Sequence, residues 1–153
     1  MQGVNSNLSL KELYKIDDHL WLEETIKLLK DNHLEELDLE NLIEELENFG
    51  RRDKAKVASL LEKIIRHLLL LQYWTQEYQY NSGHWKAEIR SFRNQLKRNL
   101  TMNLYLDNEL ASIYDDALGY VIEKTEGKLD NFPQYCIYTL EQLLDINYLP
   151  ENL

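Results

Sequence analysis

The stretch from Asp38 to Tyr78 constrains this chain more than any other. Apolar residues fall at Leu39, Leu42, Ile43, Leu46 and Phe49 and resume at Val57, Leu60, Leu61, Ile64, Leu68 and Leu71. That spacing of i, i+3, i+4, i+7 puts them on one side of a helix. A long helix with one apolar side is stable only when other helices lie against it. Counting through Leu39, Ile43, Leu46, Gly50, Asp53, Val57, Leu60 and Ile64 leaves the heptad frame unshifted. Gly50 is therefore read as a kink inside one long central helix, in preference to a corner between two.

The rest of the chain supplies helices to pack on it. Five Gly and two Pro in 153 residues leave few turns, and apolar and polar residues nowhere alternate in the two-residue rhythm of a strand. The expected class is all-α: a single-domain antiparallel bundle of about five to six helices over residues 13–153, after a flexible N-terminal tail at 1–12. Asp17 or Asp18 caps a first helix ending near Lys30, with Trp21, Leu22, Thr25, Ile26, Leu28 and Leu29 facing inward. Asp38 caps the long helix. Asn81, Ser82 and Gly83 read as a turn, with Ser82 capping a helix whose inner line is Trp85, Ile89, Phe92, Leu96 and Leu100. Asn99 to Asn103 is a break, Gly127 stops the next helix, and Thr139 caps a short last one.

Charge is segregated along the chain. Residues 1–50 hold 4 Lys/Arg against 13 Asp/Glu, residues 51–100 hold 11 against 4, and residues 101–153 hold 2 against 10. A basic middle between acidic flanks packs against them or meets a partner, and the formal net charge of −10 disfavours a polyanion. The basic line Lys86, Arg90, Arg93, Lys97 and Arg98 adjoins Tyr73, Trp74, Tyr78, Tyr80 and Trp85, which is how cations and rings are placed for single-stranded nucleic acid. Helix ends packed through large rings give the same pattern, and that reading is preferred because Trp85 lies on the inner line. One cysteine, Cys136, cannot form an internal disulfide, and the N-terminal residues lack the basic start and apolar run of a signal peptide, so a cytosolic setting is expected. Leu68 to Leu71, the longest apolar run, is far too short to span a membrane.

No catalytic or cofactor fingerprint is present. His19, His33, His67 and His84 show no metal-ligand spacing, so neither a metal nor a cofactor is expected. The pairs Glu23 with Glu24, Glu35 with Glu36 and Asp115 with Asp116 diverge by a hundred degrees on a helix and read as solvated. His67 stands out because it interrupts the most apolar part of the long helix, where a shielded, neutral imidazole needs a hydrogen-bond partner. Glu44 and Glu45 are the nearest candidate carboxylates.

Five segments together resemble a bacterial family catalogued as domain of unknown function 29: D-x-x-x-W at Asp17 to Trp21, ENLIEELENFG at Glu40 to Gly50, RHLLLLQYW at Arg66 to Trp74, W-x-x-x-I-x-x-x-R from Trp85 to Arg93, and P-x-x-C-x-Y-T-L-E-Q-L-L-D from Pro133 to Asp145. The resemblance covers about Asp17 to Pro150 and implies an all-helical cytosolic protein with no established activity. Its matching polar marks, Glu44, Glu45, His67, Trp85 and Arg93, are expected to form one buried network, and Arg93, which borders the apolar line, is expected to reach an acid of the long helix. The preferred function is a non-enzymatic helical protein-interaction or oligomerising module. One alternative is a metal-dependent or acid–base enzyme centred on His67 with Glu44 or Glu45. A second is nucleic-acid binding through residues 51–98, with Lys86, Arg90, Lys97 and Arg98 as the anionic-partner surface. The expected partner is a protein or a second copy, with nucleic acid and membrane disfavoured.

Overall fold

The computed structural model describes residues 8–99 and 101–151. Six α-helices and no strand occur among them: α1 (Leu10–Ile16), α2 (Asp18–Lys30), α3 (Leu39–Tyr73), α4 (Tyr78–Lys97), α5 (Asn103–Lys124) and α6 (Leu140–Leu144). The all-α expectation holds. Single 3-10 turns at Leu34–Glu36 and Thr75–Glu77 lead into α3 and α4. The described residues divide into two compact units, one up to Arg51 and one from Arg52, where the sequence reading treats 13–153 as one domain. The division falls inside α3, and each unit is described by itself.

In the first unit Ser9 accepts a hydrogen bond from the Glu12 amide and starts α1. Helix thus begins inside the expected tail, whose first seven residues lie outside the described region. Asp17 ends α1 and caps α2 through its side chain, which accepts from the Leu20 amide. Leu13, Trp21 and Thr25 are the buried residues of these two helices. The Trp21 ring meets Tyr14 edge to face at 4.9 Å, and its indole N–H donates to buried Asp38 at 3.3 Å. Asn32 at φ 59° closes α2, its own amide bonding the Leu29 carbonyl and that of His33 bonding Leu28. Leu22, Ile26 and Leu29, expected on the inner side, are instead exposed, because α1 offers only seven residues to cover a thirteen-residue helix.

The second unit holds the large core. Val57, Leu61, Ile64, Ile65 and Leu68 to Leu71 of α3 pack with Trp85 and Ile89 of α4, Leu106, Ile113, Tyr114, Ala117 and Val121 of α5, and Leu143 of α6. All four consecutive leucines are buried, so α3 is surrounded at its C-terminal end, where an amphipathic stripe gives way to an apolar girth. α3 ends at Tyr73, and α4 begins at Tyr78 and runs through Asn81, Ser82 and Gly83 without a break. The expected turn there is overruled: the Trp85 and Ile89 side of α4 is buried, and Asn81 spends its amide on Glu77 at 2.9 Å. α5 closes through Glu126 and Gly127, both at positive φ, with the Gly127 amide reaching back to the Ile122 carbonyl. Thr139 and Gln142 form a reciprocal cap on α6, as its sequence suggests. Leu100 of the expected inner line lies outside the described residues.

Candidate functional site

α3 passes through Gly50 as one continuous helix, so no corner forms there. A Cβ added at Gly50 would meet nothing within 4 Å, and the glycine therefore answers no close contact within its own chain. The helical line that enters the core at Val57 is uncovered before Gly50: Leu39, Ile43 and Leu46 are 57%, 54% and 62% exposed, with Phe49 beside them at 47%. One flank of this line carries Glu40, Glu44 and Glu47, all exposed, and continues at the same spacing into exposed Arg51 and Lys54. The far side of the helix meets α1, where Tyr14 donates its hydroxyl to Glu45. That hydrogen bond, followed by desolvation and the charge of Glu45, pushes the Tyr14 hydroxyl up to about 12.

His67 lies in the second unit, half-buried at the edge of a polar cleft of about 490 Å³. Asn81, His84, Glu88, Tyr120 and Lys124 share the cleft wall with Trp85. The His67 Nδ1 is 2.6 Å from the Lys63 carbonyl, which can only accept, so Nδ1 carries the hydrogen and the neutral ring keeps a bare lone pair on Nε2. Burial lowers the imidazole pKa from its ordinary value, opposed by the Lys63 carbonyl and Glu88 and reinforced by Arg66 and His84. The ring also meets Phe92 edge to face at 5.4 Å. The expected hydrogen bond is present and the expected shielding is partial: α4 turns polar at His84 and Glu88, which opens that side of the ring to the cleft.

Among the described residues Arg93 is the most deeply buried charge, at 2% exposure. Its guanidinium donates to three main-chain carbonyls, from Nε to Leu143 at 2.9 Å, from Nη1 to Tyr148 at 2.7 Å and from Nη2 to Gln142 at 3.1 Å. The expected acid of the long helix, α3, is not its partner. Carbonyls freed at the end of α6 are acceptors that a planar fork can gather at once, and they fix the C-terminal segment to α4. Burial lowers the Arg93 pKa, and Asp145 opposes that from nearby.

The five expected network residues therefore have separate partners. Glu44 is exposed, Glu45 belongs to Tyr14, His67 to Lys63 and Arg93 to the C-terminal carbonyls, while Trp85 stacks on Trp74 at 6.0 Å. No hydrogen bond or ion pair among the described residues joins one of the five to another. Lys86, Arg90, Lys97 and Arg98 are all exposed, and Lys86 donates to the Tyr78 hydroxyl at 3.2 Å. Cys136 is half-buried, its thiol directed to the Tyr138 carbonyl and its pKa raised by burial. Among the described residues no three His, Cys, Asp or Glu side chains gather closely enough to hold a metal ion, and no helix is long and apolar enough to cross a membrane. Sequence reasoning missed His84 and Glu88 as neighbours of His67, although their i, i+4 spacing puts them on one side of α4.

These features define an all-helical protein with one well-filled core, a polar cleft beside it and an uncovered apolar line on its longest helix. The family model for the domain of unknown function DUF29 matches residues 13–149, and the chain belongs to that family. No curated protein and no solved structure matches it.

Proposed function

We propose that the chain is a non-enzymatic protein-interaction module of the cytosol whose docking face is the exposed side of α3 between Leu39 and Phe49. The observation that carries this reading is the uncovered row of Leu39, Ile43 and Leu46. Large apolar side chains standing singly on a surface need no explanation, but three in one helical line beside Phe49 form a contiguous patch of the kind that marks an interface. Covering such a patch stabilises an assembly by about 25 cal/mol for each Å² of apolar surface removed from water. The acidic flank keeps the uncovered face soluble and gives it a sign to match. The test is the size of the native complex in extracts of the source cells, compared with that of the double variant I43D/L46D. Wild-type protein is expected to run above the mass of one chain and the variant at that mass, with helix content unchanged. Wild-type protein at the mass of one chain, with the variant indistinguishable from it, contradicts the reading.

A second reading is acid–base chemistry on a small polar ligand in the His67 cleft. It is favoured by the bare Nε2 lone pair of a neutral imidazole, with Glu88 in the role expected of Glu44 or Glu45. A fragment screen read on the His67 and His84 ring resonances tests it. Fragments that shift both resonances support this reading, and a library that shifts neither contradicts it.

A further inference from the structure

We propose that the occupant of the α3 face is a second copy of this chain, crossing antiparallel at Gly50; this rests on the docking-face reading above and names its partner. Three independent features of α3 meet at that residue. The apolar line Leu39, Ile43, Leu46 runs into it exposed. The charged flank changes sign across it, from Glu40, Glu44 and Glu47 to Arg51 and Lys54, all five exposed and in one i, i+4, i+7 register. Gly50 itself weakens a helix interior and has open space where its Cβ would be, so nothing within the chain requires a glycine there.

A two-fold axis beside Gly50 satisfies all three. Antiparallel pairing sets the acidic turns of one copy against Arg51 and Lys54 of the other, twice over, as an isologous contact demands. Parallel pairing would set this flank of one copy against the opposite flank of the other, Glu47 near Leu42 and Lys54 near Phe49, and would leave the charges without opposite partners. The missing Cβ lets the two helices approach closely at the crossing, where Leu46 and Phe49 of both copies close over the glycines. Within the chain Glu40 already pairs with exposed Lys11 at 3.1 Å, Arg51 donates to Asn48, and Lys54 lies 5.3 Å from the Tyr105 ring, which leaves Glu44 and Glu47 as the acids nearest the crossing.

The experiment is the mass of the purified full chain by light scattering, for wild type, for E44K/E47K, for R51E/K54E and for the fourfold charge swap. Wild type is expected at twice the chain mass, each double variant at the chain mass, and the fourfold swap back at twice, because it restores every antiparallel pair with signs reversed. A partner of another kind would not follow the swap. Monomeric wild type overturns the proposal, and so does a fourfold variant that stays monomeric. If purified wild type is monomeric while the complex in extracts remains sensitive to I43D/L46D, the docking face stands and only the second copy is wrong. If neither assembly is seen, both fall.

Discussion

From Val57 to Leu71 the apolar line of α3 is enclosed by α4, α5 and α6, whereas from Leu39 to Phe49 the same line is left 47–62% exposed. The heptad frame is identical on either side of Gly50, so the difference lies in what each unit has available to cover it. The second unit brings helices of 20 and 22 residues and builds a core around α3. The first brings helices of 7 and 13, which pack Leu13, Tyr14 and Trp21 together and reach α3 and its cap through Asp38, Glu40 and Glu45. Periodicity reports that a face seeks cover and is silent on whose side chains supply it.

The largest effect separates the two halves directly. Leu68→Ala removes a fully buried side chain and should cost about 2–5 kcal/mol in chemical denaturation. Leu46→Ala, measured at concentrations low enough to keep the chain monomeric, should cost less than about 0.5 kcal/mol, as surface changes do. Comparable losses at both positions would erase the distinction.

Arg93 sharpens the comparison from within the second unit. Arg93→Ala removes the donor to the carbonyls of Gln142, Leu143 and Tyr148, strands the buried one of Leu143 and should cost about 3 kcal/mol, with Arg93→Lys recovering only part because one ammonium cannot serve three acceptors in a plane. Thermal melts of the two variants check it, and hydrogen exchange in 140–148 should rise more than in α3. Melting at the wild-type temperature would show that the C-terminal segment is held by other contacts.

This pairing also marks the limit of what the residues disclose. Arg93 is visibly beside an apolar line, but its acceptors are main-chain carbonyls, and a carbonyl carries no residue identity to read. The long helix was legible because its period is unbroken over both halves, and so were the caps at Asp17, Asp38 and Thr139, where side-chain chemistry is local. The Ser9 to Glu12 spacing was a legible start for α1 that composition obscured. Asn81, Ser82 and Gly83 misled because turn chemistry is weaker than the burial of Trp85 and Ile89 one and two turns later. His67 was singled out for its apolar neighbours along α3, while its polar neighbours His84 and Glu88 come from α4, which no spacing within α3 can show.

His67 gives the smallest effect, and a signed one. Its folded pKa lies below the ordinary 6.5, so the unfolded chain takes up the proton first as pH falls. The stability this contributes is full above 6.5 and is lost as pH drops towards the lower folded value. The advantage of wild type over His67→Gln in denaturation should therefore shrink between pH 7 and pH 5. An advantage that grows on acidification would mean that the folded protein prefers the imidazolium.

Hydrogen exchange along α3, followed as a function of protein concentration, tests most directly the claim that one half of the helix is completed by its own chain and the other by a second copy. Amides from Val57 to Leu71 should exchange slowly and equally at every concentration, and those from Ile43 to Gly50 should gain protection as concentration rises, in step with the mass seen by light scattering. Protection of Ile43 to Gly50 that is already complete in dilute solution and indifferent to concentration would contradict the account.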